Sequence, residues 1–241
     1  MKKLQNLSEH GYLLTLEGID GSGKTTLARA LYEKLTHDGV TTVLTKEPGA
    51  TPFGKEIRAM VQNPQHARPA LSEFFLFAAD RVAHIDQVVK PALAAKSTVI
   101  CDRMADSSIA YQGFGRNLSV AVIETINKIA MQGVKPDITF YLEIDYATAH
   151  QRIMQRNEAL SQFDQEKESF FKRVIQGYEY VYAQRADVMK TQEVAQLLER
   201  LAKGEQAAYQ QQEKVFYLAA TKSPEELVAD VYQIIKWTQG A

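Results

Sequence analysis

The residues best suited to chemistry come early, at Gly18-Ile19-Asp20-Gly21-Ser22-Gly23-Lys24-Thr25, which carry the spacing G-x-x-x-x-G-K-T. That spacing serves the binding of a nucleoside triphosphate. Glycines at 18, 21 and 23 let the backbone turn tightly and approach a phosphate with no Cβ in the way. The loop N–H groups and the positive end of the helix that follows then face the anion. Lys24 can reach the β- and γ-phosphates, and the Thr25 hydroxyl can be a ligand of Mg²⁺. With Ile19, Ser22 and Thr26, the whole of 18–26 becomes a candidate ATP-binding stretch.

Such a loop needs a strand before it and a helix after it. Tyr12-Leu13-Leu14-Thr15-Leu16 is an apolar run suited to a buried strand, and Thr26 to Leu35 has apolar residues at helical spacing. After the Asp38-Gly39 turn, the β-branched run Val40 to Leu44 predicts a second strand. Thr98 to Cys101 predicts a third, ending at Asp102-Arg103; Ile138 to Ile144 predicts a fourth, and Val215 to Ala219 a fifth. Helical patterns lie between them. Pro52 opens one, Leu71 to Ala95 carries another with Pro91 as a kink or junction, and further helices are expected over Ser119–Met131, Ala147–Arg156 and Glu166–Gln184. Ser223, Pro224 and Glu226 form the cap of a last helix. Asp106 to Gly115 reads as a polar connection. The alternation predicts an α/β fold with a five-stranded parallel sheet and helices on both faces. Ligands gather at the carboxyl ends of strands in such sheets. The loop at Gly18, the Lys46-Glu47 bend and Asp102-Arg103 all fall at such ends.

Composition narrows the class. With 241 residues, 45% apolar, 24% charged and a formal charge of -1, the chain fits an ordinary globule without the basic excess of a partner for polymeric nucleic acid. The single Cys101 sits in an apolar run, which precludes an internal disulfide and suits a reducing cytosol. No apolar run is long enough for a signal peptide or a membrane span, so a cytoplasmic location is expected. Asn127-Lys128-Ile129-Ala130 lacks the Asp of a guanine-reading N-K-x-D, which argues against a GTPase switch.

Four further stretches are specific in combination: Lys46 to Pro52, Phe77-Ala78-Ala79-Asp80-Arg81, Asp102-Arg103, and Asp106 to Gly113. In order and spacing they resemble the thymidylate kinases, and Asp20-Gly21 within the phosphate loop is similar to the bacterial form. The likeness covers about residues 10 to 185 and, more loosely, 215 to 237. It implies a P-loop NTPase fold as one domain over residues 1–241, with a lid at about 152–165 and an added helical segment at about 192–214. It also implies ATP and dTMP as substrates, Mg²⁺ as cofactor, and a homodimer formed through helices flanking the second strand.

By the same resemblance, Arg58 and Arg103 bind the monophosphate. Phe77 stacks on the thymine, Arg81 hydrogen-bonds its edge, and Ser108 and Gln112 meet the base. Asp20, helped by Glu47, faces the sugar and phosphate of the acceptor, and Asp102 joins Thr25 at the metal. Lys24, Asp20, Arg103 and the lid residue Arg156 carry catalysis. From the residues alone, Phe74, Phe75 and Phe77 fit a core stripe and Arg81 a solvated charge. Several positions depart from the family pattern: Lys46 stands for an Arg, Ala50 for a second Gly, Met104 for an aromatic or His, and Gln162 for a lid Arg. Arg156 or Arg152 must then supply the lid charge. Two other readings stay open, another P-loop nucleoside monophosphate kinase and a nucleotide-binding protein with weak catalysis.

Overall fold

The computed structural model describes residues 11–65, 68–156, 160–205 and 214–239. In chain order the elements are β1 (Tyr12–Glu17), α1 (Lys24–His37), β2 (Thr42–Lys46), α2 (Pro52–Gln62), α3 (Ala70–His84), α4 (Lys90–Ala94), β3 (Thr98–Asp102) and α5 (Ala105–Ser108). They continue with α6 (Val120–Met131), β4 (Ile138–Glu143), α7 (Tyr146–Met154), α8 (Glu168–Ala183), β5 (Val188–Met189), α9 (Thr191–Ala202), β6 (Lys214–Ala219) and α10 (Pro224–Thr238). The strands form a sheet in the order β2-β3-β1-β4-β6-β5, every pair parallel.

β1 lies inside the sheet because both of its faces are apolar. Leu13 packs with Val99 and Cys101 on one side, while Leu14 and Leu16 join Ile100 and Phe140 on the other, as the two-residue period of a strand requires. The phosphate loop therefore leaves from a strand hydrogen-bonded on both edges.

The sheet has six strands rather than the five expected. The added one, β5, is two residues long and exists only through its pairing with β6, Val188 opposite Val215 and Met189 opposite Phe216. So short a run leaves no alternation to read. The second strand begins two residues later than expected, because the Val40 N–H is drawn back to Leu35 O at the end of α1.

The helix expected over Leu71–Ala95 is divided. α3 passes through a π-type turn at Ile85–Val89 into α4, with Pro91 in the first turn of α4. A π-type turn also runs from Ile109 to Gly115 directly after α5, so the stretch read as a polar connection is helical. Such wide turns lack the 3.6-residue period and recur at functional sites. α9 is less solvated than expected, since Val194 and Leu197 are buried where it meets β6 and α10. Residues 206–213 of the expected 192–214 segment lie outside the described residues. The Ser223 cap forms as expected, with Oγ accepting from Glu226 N–H and Glu226 Oε2 accepting from Ser223 N–H.

Candidate functional site

Gly18, Gly21 and Gly23 have φ of 144°, 83° and 95°. At Gly21 a Cβ would also lie 2.3 Å from Ala149 O on α7, so that position excludes any side chain on two grounds. Lys24 is buried, with Nζ donating to Ile19 O at 2.8 Å and to Ser22 Oγ at 3.3 Å. Burial, reinforced by Arg103, pulls its ammonium down to about 8. Thr25 Oγ1 donates to Asp102 Oδ2 at 2.5 Å across the carboxyl end of β3. A hydroxyl and a carboxylate so placed are hard oxygen donors. They fit a Mg²⁺ that arrives with phosphates and takes only one or two protein ligands.

Arg103 links this loop to a second region. It sits at φ 73°, held by its own N–H on Leu16 O and by the Met104 N–H on Glu17 Oε1. Its Nη1 donates to Gly18 O at 2.9 Å, Ser107 Oγ at 3.1 Å and Tyr178 OH at 3.2 Å. Its Nη2 donates to Asp20 Oδ1 at 2.8 Å and Tyr111 OH at 3.0 Å. Burial acts to raise the Asp20 carboxyl, but Arg103 and Lys24 overcome this and hold it at about 2.

Glu17 lies beneath this junction, fully buried. It accepts from Met104 N–H at 2.7 Å, Ser107 Oγ at 2.5 Å and Tyr178 OH at 3.0 Å. Burial and then Asp106 push its carboxyl from 4.5 up to about 7. Within that window the native chain holds a proton that the unfolded chain has lost, so its contribution to stability falls as pH rises. Relative to the wild type, Glu17→Gln is therefore expected to gain up to roughly 3 kcal/mol between about pH 5 and about pH 8, measured by urea denaturation. A difference independent of pH would remove Glu17 as the source.

Asp20, Glu47, Arg58, Phe77, Arg81, Arg103, Ser108 and Gln112 line one cleft beside the loop. α3 supplies two of them. Phe74 is buried in the core and Phe75 is half exposed, whereas Phe77 turns to the cleft. Arg81 is no solvated charge; it is 2% exposed. Its Nε donates to Glu47 Oε2 at 2.8 Å and Nη1 to Asn127 Oδ1 at 2.6 Å; Nη2 donates to Met104 O and Ser108 Oγ, both at 3.1 Å. Glu47 is further held by His84 Nδ1 at 2.9 Å. Burial acts to raise the Glu47 carboxyl, yet Arg81 and His84 bring it below its ordinary value. Arg58 reaches in from α2, with Nη1 on Pro48 O at 3.1 Å.

Of the expected lid at 152–165, residues 157–159 lie outside the described residues. Phe163 packs against Phe77 and Tyr111, with ring centroids 6.1 and 6.0 Å apart. Gln162 is tied to the end of α2, its N–H donating to Gln62 O and its Oε1 accepting from Arg68 at 2.9 Å. Arg156 is exposed beyond α7 and is not among the residues lining the cleft.

Sequence reasoning did not single out Glu17, Tyr111 or Asn127. A carboxylate closing an apolar strand next to Gly18 was a usable signal for Glu17. Asn127 gave none, because only the packing of α6 on α3 brings it to Arg81.

A family description, thymidylate kinase, matches residues 16–203. The chain belongs to the thymidylate kinase family. The thymidylate kinase of Halothermothrix orenii is 41% identical over 181 residues, which are 74% of this chain and 87% of the relative. That of Exiguobacterium sibiricum is 36% identical over 192 residues, 79% of this chain and 90% of the relative. The thymidylate kinase of Nostoc punctiforme is 39% identical over 170 residues, covering 70% and 81% respectively. The part of the chain that matches the thymidylate kinase family contains the phosphate loop and every residue of the cleft. β6 and α10 follow it and complete the same sheet and its cover.

Proposed function

We propose that this chain transfers the γ-phosphoryl group of ATP to dTMP, giving ADP and dTDP, and so supplies a precursor of dTTP for DNA synthesis. The observation that carries the reading is the Arg103–Asp20 contact at 2.8 Å, which joins a triphosphate loop to a second cleft with aromatic and guanidinium walls.

Residues 18–26 cradle the ATP phosphates with main-chain N–H groups, and Lys24 follows the charge on the group being transferred. Thr25 and Asp102 would hold Mg²⁺, which when bound offsets charge on the triphosphate oxygens. Arg58 and Arg103 receive the phosphate of dTMP. Phe77 offers a flat apolar surface to the thymine, with Arg81, Ser108 and Gln112 at its polar edge. Asp20 and Glu47 sit where the acceptor's sugar and phosphate enter. The attacking oxygen is already anionic, so alignment and distributed positive charge do the catalytic work in place of a strong base. The whole chain acts as one domain in this reading, with 152–165 as its lid.

The exposed side chains of Phe53 and Met60 on α2, Leu71 and Phe75 on α3, and Ile129 on α6 support a homodimer through these helices. No helix among the described residues is long and apolar enough to cross a membrane, and a cytoplasmic location fits the lone buried Cys101.

Release of ADP with dTMP, dUMP, dCMP, dGMP and AMP as acceptors tests the assignment. The highest kcat/KM is expected for dTMP, and a higher value for any other acceptor would overturn the choice of substrate. With Gln162 fixed on Arg68, Arg156 is the expected source of lid charge. Arg156→Ala should slow turnover by about tenfold or more, and Arg152→Ala by less, as loss of a transition-state cation predicts. Equal rates for the two variants would remove Arg156 from that role. Tight dTMP binding with negligible turnover in the wild type would favour a nucleotide-binding protein instead.

A further inference from the structure

Glu73 sits in the first turn of α3 and is 2% exposed, yet it is not among the residues lining the cleft. Its Oε1 accepts from Gln112 Nε2 at 2.9 Å and from Arg116 Nε at 3.3 Å, and its Oε2 accepts from Arg116 Nη2 at 3.3 Å. Arg116 is itself fixed, bonded to Glu166 and lying over the Phe170 ring at 4.7 Å.

A carboxylate can only accept hydrogen bonds, so the NH₂ end of the Gln112 amide has to turn towards Glu73. The carbonyl end, Oε1, is left over. Among the described residues nothing donates to it, and Gln112 lines the cleft with Phe77 and Ser108.

We infer that Glu73 is a positioning residue that fixes the polarity of the Gln112 amide, so that the base in the cleft must present a ring N–H to it. The inference rests on the dTMP reading above. Thymine and uracil carry N3–H and satisfy Gln112 Oε1. Cytosine presents a lone pair at N3, which would meet the Gln112 oxygen without a bond. A site built to accept an N–H rejects the analogue that lacks it, because its own polar group is left unpaired. Discrimination between two pyrimidines is thus set by a residue that meets neither.

The test compares kcat/KM for dTMP, dUMP and dCMP in the wild type and in Glu73→Gln. A neutral amide at 73 both donates and accepts, which frees Gln112 to turn over. The dTMP to dCMP ratio should fall by about tenfold or more, with dTMP and dUMP reduced by the same factor. A uniform loss for all three substrates, or an unchanged ratio, would overturn the inference. The swapped pair, Glu73→Gln with Gln112→Glu, keeps one carboxylate and one amide in the same space and again points an acceptor at the base. It should retain the preference for dTMP even if the single variant does not fold; a swapped protein that favours dCMP would overturn the inference equally. A wild type without preference for dTMP would instead overturn the substrate reading on which this rests.

Discussion

Lys24→Ala is expected to lower kcat by about 10³-fold while leaving the affinity for dTMP within about twofold. The ammonium is held inside the loop by Ile19 O and Ser22 Oγ, and it is not among the residues lining the acceptor cleft. Its positive charge is positioned before any substrate arrives, in a buried setting where electrostatic interactions are stronger than in water. A charge that acts chiefly on the transferred group should reduce kcat and kcat/KM for dTMP together. Steady-state rates combined with calorimetric titration of dTMP check both halves. A variant that lost dTMP binding and kept its kcat would place Lys24 on the wrong nucleotide.

Arg81→Ala should combine a large rise in the KM for dTMP, on the order of 10²-fold, with a loss of about 3–5 kcal/mol in stability. The second effect follows from burial. Glu47 is 4% exposed, and without the guanidinium its carboxylate keeps, among the described residues, only His84 as a side-chain partner. Asn127 Oδ1 loses its bond at 2.6 Å as well. Arg81→Lys should not rescue the protein, since an ammonium cannot span acceptors contributed by residues 47, 104, 108 and 127. Urea denaturation and dTMP kinetics on the same preparations separate the two effects. An unchanged KM would remove Arg81 from the base site, and an unchanged midpoint would contradict the buried pairing.

The same residue marks where sequence reading stops. The phosphate loop was legible because its strand, glycines and helix are contiguous, and each imposes a local backbone requirement. The alternation of strands and helices was legible for a similar reason, since a buried parallel strand is apolar on both faces. Arg81 read from its neighbours alone as a solvated charge, because every acceptor it meets lies at least 23 positions away. The wide turn over Ile109–Gly115 broke the helical period and concealed that Ser108, Tyr111 and Gln112 all line the cleft. Family resemblance pointed to Ser108 and Gln112, which line the cleft. It could not supply Glu73, which is visible only through its hydrogen bonds to Gln112 and Arg116.

Arg103, at its left-handed φ, has a mechanical consequence. A single guanidinium braces the exit of β1, the carboxylate of Asp20 and the hydroxyls of Ser107, Tyr111 and Tyr178. On the proposed function, the two nucleotide berths therefore share one strut, and neither can slacken without disturbing the other. Much of the ordering needed to bring two polyanions end to end is completed when the chain folds, which leaves less to be done in each catalytic cycle.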